Sequence, residues 1–162
     1  LAARAAACVR DQTTSEWALG ELIKLSADRL DMVRIMMPYD LDLARLAAGR
    51  YPEMAVTHAW LGDALRLGGD NEGAIREYEH SLELDPSEAD TWFLLGRLYE
   101  EHRQDLEAAA KAYDQACFLV DHGKNGCLAA HAVYLKLGLD DLAAERYASY
   151  LKQVGLPADT PR

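Results

Sequence analysis

No apolar run in this 162-residue chain reaches the length of about 18 residues that a membrane-spanning helix requires, so direct membrane insertion of this segment is not expected. Cysteine is scarce. Cys8, Cys117 and Cys127 form an odd set with no C-x-x-C pair, which argues against a disulfide framework and against a zinc site. Reduced, mostly buried thiols are the expectation; Cys117 and Cys127 fall on neighbouring expected helices, but spacing alone does not establish the geometry of a bridge. Basic residues are outnumbered, 17 against 27 acidic, giving a net charge of −10. Such a surface repels phosphate backbones unless a basic patch stands apart, and none does, so nucleic acid is not an expected partner.

Catalytic signatures are also missing. The histidines His58, His80, His102, His122 and His131 include no H-E-x-x-H pair, so no metal is expected. No G-x-S-x-G is present, and Ser26, Ser81 and Ser149 lie in helical context without a base beside them. Glycines occur singly or as Gly68-Gly69, with no phosphate-cradling loop. The acidic pair Asp140-Asp141 is accounted for by the start of a helix. With these signatures missing, no cofactor is expected and the reading points away from an enzyme. The first residue is Leu rather than Met, and residues 1–10 lack the apolar centre of a signal peptide. The chain is therefore expected to begin inside a longer polypeptide, or after processing or an unseen tag, and its compartment stays open between the cytoplasm and, behind an upstream signal or anchor, the periplasm.

What is abundant is apolar material, 50 % of residues, enough for the core of one ordinary domain. Its distribution is periodic. Three turns share one grammar: Leu67-Gly68-Gly69-Asp70-Asn71, His102-Arg103-Gln104-Asp105-Leu106 and Leu137-Gly138-Leu139-Asp140-Asp141. Each separates two stretches with apolar residues at helical spacing and offers Asp or Asn as a cap for the second helix. After the turns stand Ala74, Ala109 and Ala143, each followed four residues later by Tyr78, Tyr113 and Tyr147, at intervals of 35 and 34 residues. An alanine and a ring one turn apart on a helix face let the ring fill the space beside a close helix contact. The longer middle interval places one extra residue between Tyr99 and Ala109, expected in the turn, where insertions are tolerated.

Trp92-Phe93-Leu94-Leu95-Gly96-Arg97-Leu98-Tyr99 reads W-x-x-L-G-x-x-Y, and Ala109, Tyr113 and Ala116 complete the pattern. The sequence here resembles the tetratricopeptide repeat family over residues 55 to about 155. The preceding unit matches through Leu61, Gly62, Leu65, Ala74, Tyr78 and Pro86, with His58 and Ser81 at the Trp and last Ala places. The following unit is looser, with Cys127, His131 and Tyr150 where Trp, Gly and Ala usually stand. His58 and His131 are read as packing variants. The resemblance implies an all-α fold, a right-handed α-solenoid of helical hairpins, with units at 55–88, 89–123 and 124–157 and a flexible tail at 158–162. Residues 1–54 are read as a degenerate repeat or cap, with helices at Glu16–Leu25, Ala27–Met37 and Leu41–Gly49 covering the open end of the stack.

In this family the first helix of each hairpin lines a concave groove that takes peptides, so the resemblance implies a scaffold binding a protein or peptide. The groove positions fall on Val56, Ala59, Trp60, Asp63 and Arg66, on Asp90, Phe93, Leu94, Arg97 and Glu101, and on Asn125, Leu128, Ala129, Ala132 and Lys136. Trp60 and Phe93 are the expected aromatic anchors. Packing against the N-terminal helices or the neighbouring unit is the competing reading of both. Arg97, helped by Arg66, is the candidate for gripping a carboxylate, with Asp63 as its competing internal partner. The Lys, Arg and Asn clamp of family members that hold chaperone tails is absent, since those places carry Ala59, Asp63, Asp90 and Leu94. Two alternative functions remain: a regulatory or recruiting segment of a larger enzyme or cell-envelope protein, and a self-association module in which the Tyr150–Leu151 end or the N-terminal helices pair with a second copy to form a homo-oligomer.

Overall fold

The computed structural model describes residues 41–119 and 124–157; the expected helices Glu16–Leu25 and Ala27–Met37, Cys8 and the 158–162 tail lie outside the described residues. Seven α-helices follow in order: α1 (Leu41–Arg50), α2 (Ala55–Leu67), α3 (Asn71–Leu84), α4 (Ala89–Leu98), α5 (Leu106–Phe118), α6 (Lys124–Lys136) and α7 (Asp140–Val154). They stack as a solenoid of hairpins, α2 with α3, α4 with α5 and α6 with α7, each hairpin packing on the next. The expected helix at Leu41–Gly49 is present as α1, which buries Ala44, Ala47 and Ala48 toward α2.

The hairpins are closed by a glycine and a ring. A Cβ added at Gly62 would stand 2.6 Å from Tyr78 Cε1, and one at Gly96 would stand 2.7 Å from Tyr113 Cδ1. Only a residue without a side chain lets these fully buried rings lie flat against the first helix. In the third hairpin His131 occupies the glycine place, so Tyr147 cannot take the same position. Its ring lies beside His131 at 5.1 Å and stacks on Tyr150 at 6.0 Å. The His131 Nδ1–H donates to the Ala143 carbonyl at 2.8 Å. His58 is likewise a satisfied packing residue, with Nε2 3.0 Å from the Pro52 carbonyl and Nδ1 2.8 Å from Glu77 Oε2.

Two of the three expected caps form. Asp70 accepts from the Gly73 N–H and Asp105 from the Ala108 N–H, both at 2.9 Å. The third does not: Leu139 holds the cap position without a side-chain bond, and Asp140 and Asp141 stand in the first turn, where they favour the helix through its dipole. The extra residue of the middle unit is also absorbed differently from expectation. In the outer hairpins the Asp70 and Leu139 N–H groups close onto the carbonyls five residues earlier, of Leu65 and Tyr134, with Gly69 and Gly138 at positive φ between them. In the middle hairpin the Asp105 N–H closes onto Tyr99, six residues earlier, through a π-helical turn at Tyr99–Arg103, and Gln104 takes the positive-φ place at 56°. The insertion therefore widens the end of the first helix rather than lengthening the loop.

The cysteines correct a further expectation. Cys117 and Cys127 are not free thiols but a disulfide joining the end of α5 to α6. Asp114 and Arg146 form a charged link across the second and third hairpins at 2.6 Å, which the Tyr134 hydroxyl joins at 2.7 Å. No helix of the described residues is long and apolar enough to cross a membrane.

Candidate interaction surfaces

The expected groove residues divide by their distance from α1. Trp60 is 1 % exposed, packed with Ala47 of α1 among Leu43, Leu46, Tyr51, Met54 and Val56. Its assignment as a presented anchor is overturned, because α1 covers this end of the first-helix face. Asp63 is withdrawn too. It is 9 % exposed and accepts from the Tyr78 hydroxyl at 2.7 Å, with an Arg66 nitrogen at 3.4 Å. Burial and the Asp63 carboxylate push the Tyr78 hydroxyl well above the ordinary phenol range. Burial works against the Arg66 charge, and its contacts with Tyr78 and Asp63 more than offset that.

Arg66, Leu94, Arg97 and Glu101 come together. With Asn71, Leu98 and His102 they line a cleft of about 280 Å³ between α2 and α4. Arg97 is not paired with Asp63. It forms a fork with Glu101 one turn along its own helix, at 3.1 to 3.2 Å, and the two side chains are 45 % and 59 % exposed. Such a pair contributes only about 0.3–0.5 kcal/mol. It can thus be exchanged for an incoming carboxylate at little cost. His102 and Arg103 hold Glu72 at 3.3 and 2.7 Å on the cleft's outer side, and the Arg103 hydrogen bond keeps the Glu72 carboxyl below its usual range.

Phe93 is half-buried, its ring 5.6 Å from Tyr113 and packed on the second core cluster, so it is a support more than a presented anchor. Asp90 is also half-buried on α4. On α6 Asn125, Leu128, Ala132 and Lys136 are exposed, and Ala129 is partly so. Lys136 pairs with Glu100 of the preceding hairpin. The α6 residues do not enter the 280 Å³ cleft.

Asn71 and His102 were missed from the sequence because they belong to turns, outside the first-helix pattern. A larger cleft of about 510 Å³ was missed entirely. It opens between α3 and α5, over Trp92 and Tyr99 of α4 and the turn after it. Trp92 was legible only as a signature residue, and in the structure it is partly exposed, with its indole N–H donating to the Pro86 carbonyl at 2.9 Å. Among the described residues no group of three or more His, Cys, Asp or Glu is placed to hold a metal ion.

A family model described as a TPR repeat matches residues 62–102, and a second, for the tetratricopeptide repeat, matches residues 89–117. Among solved structures, the chain is similar to the crystal structure of MamA, with a TM-score of 0.67 at 20 % identity over 85 % of this chain and 78 % of that one. A second crystal structure of MamA protein aligns with a TM-score of 0.66 at 18 % identity, over 85 % of this chain and 73 % of the other. No curated protein matches the sequence.

Proposed function

Since the chain is a tetratricopeptide-repeat protein, we propose that it is a non-enzymatic scaffold whose first-helix face holds a segment of a partner protein, gripped at the α2–α4 cleft. The observation that carries this reading is the company kept by Arg97. An exposed, weakly engaged guanidinium stands beside Leu94 and near Arg66 at one concave site of about 280 Å³. Two guanidinium groups beside an aliphatic floor suit a peptide carboxylate followed by an apolar side chain, because the paired donors match both carboxylate oxygens. Asn125, Leu128 and Lys136 of α6 extend the same face away from the end that α1 covers. Phe93 packs on the neighbouring core beside Tyr113 and does not line the cleft. Trp60 and Asp63 take no part.

The test is capture of partners from the native source by the tagged chain and by an Arg66→Glu/Arg97→Glu variant with an unchanged circular-dichroism melt. Partners retained by the parent and lost by the variant support the reading. Equal recovery by both refutes it.

A further inference from the structure

We propose that the cleft between α3 and α5 is a second docking surface, on the opposite side from the first-helix face, and that it takes a basic amphipathic segment of another protein. At about 510 Å³ it has the size of an ordinary ligand site. Its floor is apolar, made by Leu82 of α3, Leu95 of α4 and Ala108 and Ala112 of α5. Trp92 and Tyr99 add two aromatic rings. The polar atoms of both rings are already engaged, the indole N–H by Pro86 and the Tyr99 hydroxyl by Glu79, so what they offer an occupant is ring surface. Tyr99 already accepts one cation, with the Arg103 guanidinium 5.5 Å from its centroid.

Charge selects the occupant. Glu79 and Glu83 stand one turn apart on the α3 lip, and Lys111 stands on the α5 lip. Glu83 is widely exposed and only loosely engaged by His80 at 3.4 Å. Two carboxylates beside two rings, in a chain of net charge −10, favour a lysine or arginine head whose aliphatic stem lies on the rings. The apolar floor requires aliphatic neighbours for that cation. An amphipathic helix with leucine-like residues at i, i+3 and i+4 and flanking basic residues meets both demands.

The next junction of the stack shows that this opening is not imposed by the repeat. Thirty-five residues on from Leu82 and Trp92 stand Cys117 and Cys127, which are covalently joined. The Gln153 amide then donates to the Cys117 carbonyl at 3.0 Å and reaches Cys127 Sγ at 3.3 Å. One junction is sealed by a bond and a side chain at the place where its neighbour keeps an aromatic-floored cleft.

The experiment is fluorescence anisotropy with a labelled synthetic helix of leucine and lysine at this spacing, and with its counterpart carrying glutamate for lysine, at near-physiological salt. The basic peptide should bind and the acidic one should not. Glu79→Gln/Glu83→Gln should weaken binding about tenfold or more, while Glu53→Gln/Glu145→Gln, the same change of net charge away from the cleft, should weaken it less than about twofold. Should the glutamine pair lose its cooperative melt, Ala108→Arg, which fills and inverts the cleft, replaces it with the same expectation. Equal weakening by both glutamine pairs, or loss of binding in Arg66→Glu/Arg97→Glu, would place the peptide elsewhere and overturn the proposal. So would a chain dimer that the cleft variants dissolve, since that assigns the cleft to a second copy. Normal peptide binding in the Arg66→Glu/Arg97→Glu variant separates this surface from the one under Proposed function.

Discussion

Replacing glycine with alanine inside a helix ordinarily stabilises it by about 0.5–1 kcal/mol, because alanine has less backbone freedom to lose. The two glycines Gly49 and Gly96 should respond to this one change with opposite signs. Gly49 lies in α1 with nothing within 4 Å of the position its Cβ would take. Gly49→Ala should therefore raise stability, by a few tenths of a kcal/mol at this terminal position. At Gly96 the added methyl would meet Tyr113 Cδ1, Cε1 and Cγ at 2.7, 2.8 and 3.2 Å. That ring is 1 % exposed and tethered through its hydroxyl to Glu100 at 2.9 Å, so it cannot swing clear. Overpacking of this kind costs about 1–3 kcal/mol, which exceeds the propensity gain. Gly96→Ala should lose about 1–2 kcal/mol net, lowering the melting temperature by about 2–8 °C in a chain of this size. Thermal melts by circular dichroism of the two variants decide the matter, with Gly96→Ala/Tyr113→Leu as the third measurement. If the ring is the obstacle, the double variant loses less than the sum of its parts. A Gly96→Ala protein as stable as its Gly49→Ala counterpart would refute the interlock on which the repeat assignment rests.

Tyr78→Phe should cost about 1–3 kcal/mol in urea unfolding, since it strips the nearly buried Asp63 of its 2.7 Å donor. Trp60→Ala should cost about 3–5 kcal/mol, as expected of a core truncation and not of a groove residue. Reducing the Cys117–Cys127 bridge, which closes a 10-residue separation, should remove about 2–3 kcal/mol by loop-closure entropy, read as a lower melting temperature in a phosphine reductant. Thiol titration of the unreduced, denatured chain should find one free cysteine; three would refute the bridge. Burial, followed by the Asp114 hydrogen bond, raises the Tyr134 hydroxyl to about 12. Because the folded value lies above the unfolded one, this stabilisation is complete below about pH 10 and is lost as pH rises toward 12. Tyrosinate absorbance should accordingly lag behind a free phenol, and an ordinary pH 10 titration of every tyrosine would contradict it.

The fold was legible because its two rules are local. An alanine followed four residues later by a ring recurs after each turn, and two of those rings, Tyr78 and Tyr113, lie against Gly62 and Gly96 of the signature. The candidate site was legible only where the repeat is regular. Arg97 and Glu101 were found through the repeat pattern, whereas Trp60 was misassigned because the element that covers it, α1, departs from the pattern. The disulfide escaped a parity argument over three cysteines. The repeat register places Cys117 and Cys127 at the positions of Leu82 and Trp92, which both line the α3–α5 cleft, and one unit further on these two places are joined by the bridge. The α3–α5 cleft could not be read at all, because it depends on how far apart two second helices stand, and no single residue encodes that distance.

A stack of hairpins is a chain of nearest-neighbour couplings, and its couplings here are unequal. The staple between α5 and α6 makes the last joint covalent, whereas the joint spanned by Trp92 depends on side-chain packing around an open cleft. The joint between the first and second hairpins should therefore open before the stapled one, with amides of α4 exchanging with solvent before those of α6. A ligand seated over that joint would act as a splint, and the two halves of the solenoid would then melt as one.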